Sequence, residues 1–342
     1  MNYNTSIMKK AIKIVASVVA VIVIIAMVGG GYIFQQIKQI AINGGYIVEW
    51  NTTDGEIIKD LTYGESYRNT YDLYLPANKT PQALMLFIHG GAWTQGDKGD
   101  MAWAAMRYAK DGYVTASINY SRIDADSILV QGGVVRPSIQ SMLREIEMSI
   151  TAIKGKCKML GCDIRQMAIG GYSAGAHLAM LYATHCAESS PIPIKFQISW
   201  VGPSDFNLLF PSAPRHTDAV ASDEKAKSFY ADMERFAYGL SGKQLMAAEL
   251  TEEVFHSLKS DVSPAEYVTP HTPPAILAYG GKDMLVNAMH GQKMAQTLAE
   301  QGVAHKLFVF PNSGHELGHD ADYTDSVQMA ISEYCEKYFS AE

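Results

Sequence analysis

The sequence predicts an α/β fold, a mostly parallel central sheet flanked by helices, and three observations predict it. A continuous apolar run at 84–88 and the apolar stretch 274–279 read as strands buried on both faces, as parallel sheets require, and 166–170, 194–200 and 306–310 read as further strands. Helix-like stretches alternate with them, clearest where Ile139, Met142, Leu143, Ile146, Ile150 and Ile153 recur at helical spacing. Glycine-rich turns close the carboxyl ends of several runs, where open α/β sheets place their sites.

The chain opens with a tail, residues 1–13, carrying Lys9, Lys10 and Lys13. Residues 14–34 are apolar apart from Ser17 and Gly29-Gly30-Gly31, and at about 1.5 Å per residue they reach across a hydrocarbon core of roughly 30 Å. This segment reads as a transmembrane signal anchor. Three lysines precede it and only Lys38 follows closely, which keeps the tail in the cytoplasm and the rest of the single-pass chain outside. A cleaved signal peptide, giving a secreted domain, is the alternative. Residues 35–60 then form a juxtamembrane tether, and 61–342 make one large domain.

Within that domain, Tyr71-Asp72-Leu73-Tyr74-Leu75 is the first clear strand. The run 84–88 delivers the chain into His89-Gly90-Gly91-Ala92-Trp93, after which Asp97, Lys98 and Asp100 read as a solvated loop. A strand at 112–118 and the amphipathic helix follow. The run 166–170 leads into Gly171-Tyr172-Ser173-Ala174-Gly175, then the helix-like 176–181. Residues from 203 to about 264 turn helical and polar, longer than a plain crossover, and read as a small cap insertion over the site. The last two strands end in Gly280-Gly281-Lys282-Asp283 and in Pro311-Asn312-Ser313-Gly314-His315.

A serine flanked by glycines between strand and helix is a nucleophile elbow: the turn is so sharp that flanking Cβ atoms would collide with backbone. Ser173, Asp283 and His315 therefore stand in the order nucleophile, acid, base, each behind a strand. In this arrangement His315 takes the Ser173 proton and returns it to the leaving group, while Asp283 fixes the imidazole's tautomer. Gly90, Gly91 and Ala174 supply backbone N–H donors for an oxyanion. His89 reads as a brace for its loop, and Trp93, Tyr120 and Tyr172 as candidate pocket walls. The triad and these donors supply the chemistry, so the reading needs no metal or organic cofactor.

Other residues compete for these roles. His315-Glu316-Leu317-Gly318-His319 fits the zinc-protease pattern, but that chemistry needs a helix, and turn formers from Pro311 to Gly314 precede it. Asp205 is a second strand-end carboxylate, and His177, one turn past the serine, reads as a packing histidine. A net charge of −7 without a basic patch argues against a nucleic-acid partner. Four cysteines, Cys157, Cys162, Cys186 and Cys335, are too few for a disulfide scaffold, though Cys157 and Cys162 are close enough to pair.

The elbow at 171–175, the loop at 89–93, Gly281-Lys282-Asp283 and Ser313-Gly314-His315 together resemble the α/β-hydrolase superfamily. Within it they are most similar to the carboxylesterase, hormone-sensitive-lipase-like and acetyl or feruloyl esterase branch with a His-Gly-Gly-X-Trp oxyanion loop. The likeness runs from about Tyr71 to the C-terminus. It implies the α/β-hydrolase fold and a serine hydrolase acting on small carboxylic esters with short acyl chains. Arylformamidases share the loop, so an amide hydrolase, formamidase or peptidase, is the alternative. Two departures stand out: Ala92 where a third glycine is common, and Ala176 where a glycine often follows the elbow.

Overall fold

The computed structural model describes residues 48–77, 83–123, 126, 128–130, 133–210 and 224–339. The tail, the apolar segment 14–34 and the first part of the tether lie outside the described residues. Among those described, no helix is long and apolar enough to cross a membrane.

In chain order the elements are β1 (Gly55–Thr62), β2 (Thr70–Pro76), β3 (Ala83–Ile88), α1 (Ala102–Lys110), β4 (Val114–Ile118), β5 (Ile128–Val130), β6 (Gly133–Val135), α2 (Ile139–Met159) and β7 (Gln166–Tyr172). They continue with α3 (Ala174–His185), β8 (Ile194–Trp200), α4 (Phe206–Leu209), α5 (Glu224–Ser241), α6 (Glu252–Ser260), β9 (Ala275–Gly280), α7 (Met289–Glu300), β10 (His305–Phe310) and α8 (Ala321–Tyr338). Eight strands form one sheet in the order β1-β2-β4-β3-β7-β8-β9-β10, and β5 pairs with β6 in a separate hairpin. From β4 to β10 every pairing is parallel, while β1 and β2 add an antiparallel edge. The sheet is therefore the mostly parallel one that the apolar runs predict.

Why those runs are continuous is visible in β3. Leu84, Leu86 and Ile88 face a core shared with α2 and α3, whereas Met85 and Phe87 face a second core shared with α1 and α8. Period-two alternation thus buries apolar side chains on both sides. Helix α2 starts on a capping box in which Ser138 and Ser141 exchange side-chain and backbone hydrogen bonds. Helix α3 is buried along almost its whole length, because it sits beneath the elbow between sheet and flanking helices.

Strand β1 begins inside the segment read as tether and runs past its end at residue 60. Its residues are half-buried or exposed, as befits an antiparallel edge strand, so it carries no apolar run to announce it. Trp50 already packs edge-on against Tyr74, with ring centroids 6.3 Å apart. The folded domain thus begins before residue 61. The cap region holds α4, α5 and α6, tied together through Phe210, Phe236 and Phe255 and joined to the core beside α2. All four cysteines are free thiols, Cys157, Cys162 and Cys335 buried.

Candidate active site

The sheet reverses its strand order between β3 and β7, which places a crevice at their carboxyl ends. Ser173 follows β7 with φ 53° and ψ −119°, a region that a non-glycine residue occupies only when its surroundings enforce it. Two backbone bonds do so: Ser173 N donates to Trp200 O at 2.8 Å, and His177 N donates to Ser173 O at 2.9 Å. The flanking glycines are required by close approach. A Cβ on Gly175 would lie 2.1 Å from Ile88 O, and one on Gly171 would lie 2.6 Å from the same oxygen. Helix α3 opens without a side-chain cap, so the Ala174 N–H is among the unspent donors at its positive end.

Opposite the elbow, the loop after β3 runs through Gly91 (φ 107°), Ala92 (φ 50°) and Trp93 (φ 61°). Left-handed Ala92 and Trp93 each cost about 1 kcal/mol, so the position where a third glycine is common is strained by carrying alanine. Thr94 N and Gln95 N close the turn on Gly91 O at 3.0 and 2.9 Å. The Trp93 indole donates to His177 Nδ1 at 3.2 Å and packs on Phe206 of α4. Trp93 is thus a brace between the oxyanion loop and the elbow helix. His177 spends its other nitrogen on Val262 O at 2.7 Å, and burial pushes its pKa down to about 4, so it is a packing residue.

Asp283, buried at the end of β9, accepts from His315 Nδ1 on Oδ2 at 2.7 Å. Its Oδ1 accepts from Leu285 N and Val286 N at 2.7 and 2.9 Å, so both carboxylate oxygens are engaged. Gly280 lets the two loops meet, since a Cβ there would lie 2.1 Å from Gly314 O. With Nδ1 donating to Asp283, His315 keeps Nε2 as its basic nitrogen. Tyr172 ties this imidazole to the turn that carries Ser173: its hydroxyl donates to His315 O at 2.5 Å and its ring meets the imidazole edge-on at 5.9 Å. Asp205 instead caps α4 by accepting from Asn207 N. The pentapeptide from His315 to His319 is a turn with Leu317 at φ 51°, and α8 begins only at Ala321. The two imidazoles therefore do not stand one turn apart on a helix, as zinc-protease chemistry needs.

Three groups around the site escape sequence reasoning. Asp320 holds the turn that carries His315, accepting from Asn312 N, Asn312 Nδ2 and Ser313 Oγ at 3.0, 2.9 and 2.7 Å. Lys98 is not solvated: it is buried between Asp60 and Asp72, each at 2.8 Å. Beside it Asp97 accepts from Asn119 Nδ2 at 3.0 Å and pairs with Arg68 at 3.2 Å. Arg68 reaches from the turn before β2 into the back of the oxyanion loop, where Tyr120 stacks on His89 with centroids 4.3 Å apart. Tyr120 is fully buried there, behind the loop rather than in a substrate pocket. Proximity of a lone arginine and a tyrosine far along the chain leaves no local pattern to read.

The BD-FAE family model matches residues 71–298. Over 270 residues the chain is 25% identical to the probable isoprenylcysteine alpha-carbonyl methylesterase ICME of Oryza sativa subsp. japonica, covering 76% of this chain and 58% of the relative. It is 24% identical over 271 residues to esterase LipQ of Mycobacterium tuberculosis, covering 75% and 56%. The chain spans a little over half the length of these two curated relatives. A solved structure of a truncated carbohydrate esterase from gut microbiota shares the fold with a TM-score of 0.64 at 17% identity, covering 85% of this chain and 99% of that one. The matched family model takes in the loop 89–93, the turn 171–175 and Asp283, and the chain belongs to the BD-FAE family, with the α/β-hydrolase fold.

Proposed function

We propose that this protein is a serine carboxylic-ester hydrolase that works on short-chain acyl esters through an acyl-enzyme on Ser173. The observation that carries this reading is the 2.7 Å bond from His315 to the buried Asp283, together with a serine held at φ 53° on the turn whose Tyr172 bonds His315 O. Ser173 Oγ attacks the ester carbonyl as its proton passes to His315 Nε2, and the tetrahedral oxyanion turns toward the N–H groups of Gly90, Gly91 and Ala174. Collapse breaks the carbon–oxygen bond to the alcohol, which leaves with the proton from His315. Water then gives a proton to the same nitrogen, attacks the acyl-enzyme and releases the carboxylic acid and Ser173. The esterase names of the curated relatives support the ester class.

A fluorophosphonate is expected to label the folded protein at Ser173, and p-nitrophenyl acetate and butyrate to be cleaved faster than longer esters or N-formylkynurenine. Absence of labelling would reject the nucleophile, and faster opening of N-formylkynurenine would move the reading to amides.

The apolar segment 14–34 extends the proposal to a single-pass anchor with the catalytic domain outside the cytoplasm. The full chain is expected to stay with membranes through an alkaline carbonate wash and to be freed by deletion of residues 1–47. Release of the full chain by the wash would reject the anchor.

A further inference from the structure

We propose that Arg68 is a positioning residue that sets the oxyanion hole, by holding His89 in one tautomer and so aiming the N–H groups of Gly90 and Gly91. The inference rests on the acyl-enzyme reading above. Arg68 is 6% exposed, and its fork is spent almost wholly behind the loop. Nη2 donates to His89 at Nε2 (3.1 Å) and to Gly96 O (3.0 Å), Nε donates to Tyr120 O (3.3 Å), and Nη1 pairs with Asp97 (3.2 Å). Asp126 lies 4.0 Å from Nε.

A guanidinium has donors only. Its contact with Nε2 therefore makes that nitrogen an acceptor and puts the ring proton on Nδ1. Nδ1 lies 2.7 Å from the carbonyl oxygen of Gly90 and donates to it. Were the proton on Nε2 instead, two lone pairs would face one another there. Burial, together with the charge of Arg68, pushes the His89 pKa down to about 3, so the ring stays neutral and its single proton has one place to sit.

The tautomer matters because a trans peptide is planar, with each C=O opposed to the next residue's N–H. Tyr120 Oη donates to His89 O at 3.2 Å and approaches Gly90 O at 3.4 Å. Drawing the His89 carbonyl toward Tyr120 turns the Gly90 N–H the other way. Holding the Gly90 carbonyl on His89 Nδ1 does the same for the Gly91 N–H. The open side of the loop lies against the elbow, since a Cβ on Gly90 would lie 3.3 Å from Ser173 Cβ. Arg68 thus acts on the reaction through two carbonyls, without touching substrate.

The test uses the full chain in three measurements. In protein labelled with ¹⁵N-histidine, the His89 resonances are expected to report a neutral ring protonated at Nδ1; a proton on Nε2 would overturn the proposal. This measurement needs no variant, so it decides even where a substitution unfolds the protein. Arg68→Met is expected to lower kcat for p-nitrophenyl acetate about 100-fold, the scale of one lost oxyanion donor, with KM within about threefold. A boronic-acid transition-state analogue is expected to lose affinity by the same factor as kcat. Folded Arg68→Met with kcat within threefold of the parent, or with undiminished affinity for the analogue, would overturn it. Ser173→Ala with full activity would sink the acyl-enzyme reading instead, which keeps the two failures apart.

Discussion

Ser173→Ala and His315→Ala are each expected to lower turnover about 10⁴-fold or more, the scale of losing a triad member, while His319→Ala leaves it within about threefold. The contrast follows from what each side chain touches. His315 Nδ1 is fixed on Asp283, and its side chain is only 10% exposed in the crevice. The side chain of His319, four residues on, is 61% exposed and pairs with the Glu316 carboxylate at 3.3 Å. Because the proposed nucleophile and base would act as one unit, the double variant should be no slower than either single one. Fold retention is expected in all three, since none of these side chains belongs to an apolar core cluster. Turnover on p-nitrophenyl acetate, checked beside a thermal melt, gives the answer. Equal losses from His315→Ala and His319→Ala would return the pentapeptide to metal chemistry.

That contrast was half legible in the sequence, and the half that was not has a physical reason. Strands β3, β7 and β9 announce themselves because both faces of each are buried. The elbow announces itself because only glycine fits beside Ile88 O. The order Ser173, Asp283, His315, each behind a strand, is likewise written along the chain. What holds these groups in place is written nowhere locally. Arg68 and Lys98 look like surface cations until β1, β2 and the loop after β4 fold around them with Asp60, Asp72, Asp97 and Tyr120. Strand β1 itself is half exposed, so no periodicity separated it from the tether. The left-handed backbone at Ala92 is equally silent, because alanine carries no signal for positive φ and the strain is imposed by tertiary contacts.

Gly175→Ala is expected to be the most damaging single methyl that can be added near the site. The new Cβ would stand 2.1 Å from Ile88 O and 2.4 Å from His89 O, both backbone atoms, so no side chain can swing aside. Either α3 lifts away from β3 or the oxyanion loop moves, and each choice also disturbs Ser173, whose N–H is held by Trp200 O. Overpacking of this kind costs 1–3 kcal/mol where side chains can adjust; against backbone the expectation is about 4 kcal/mol or more. In a domain of this size that is a fall in Tm of roughly 7 °C or more. Gly155→Ala is the control for adding the same methyl elsewhere. Gly155 lies in the interior of α2 with nothing within 4 Å of its Cβ position, so alanine there should stabilise by roughly 0.5–1 kcal/mol through helix propensity. Thermal melts of the two variants should therefore move in opposite directions, and fluorophosphonate labelling should disappear only with Gly175→Ala. A Gly175→Ala protein that melts with the parent and still labels would mean that β3 and the elbow are not packed backbone to backbone, and the placement of the oxyanion donors over Ser173 would fall with that contact.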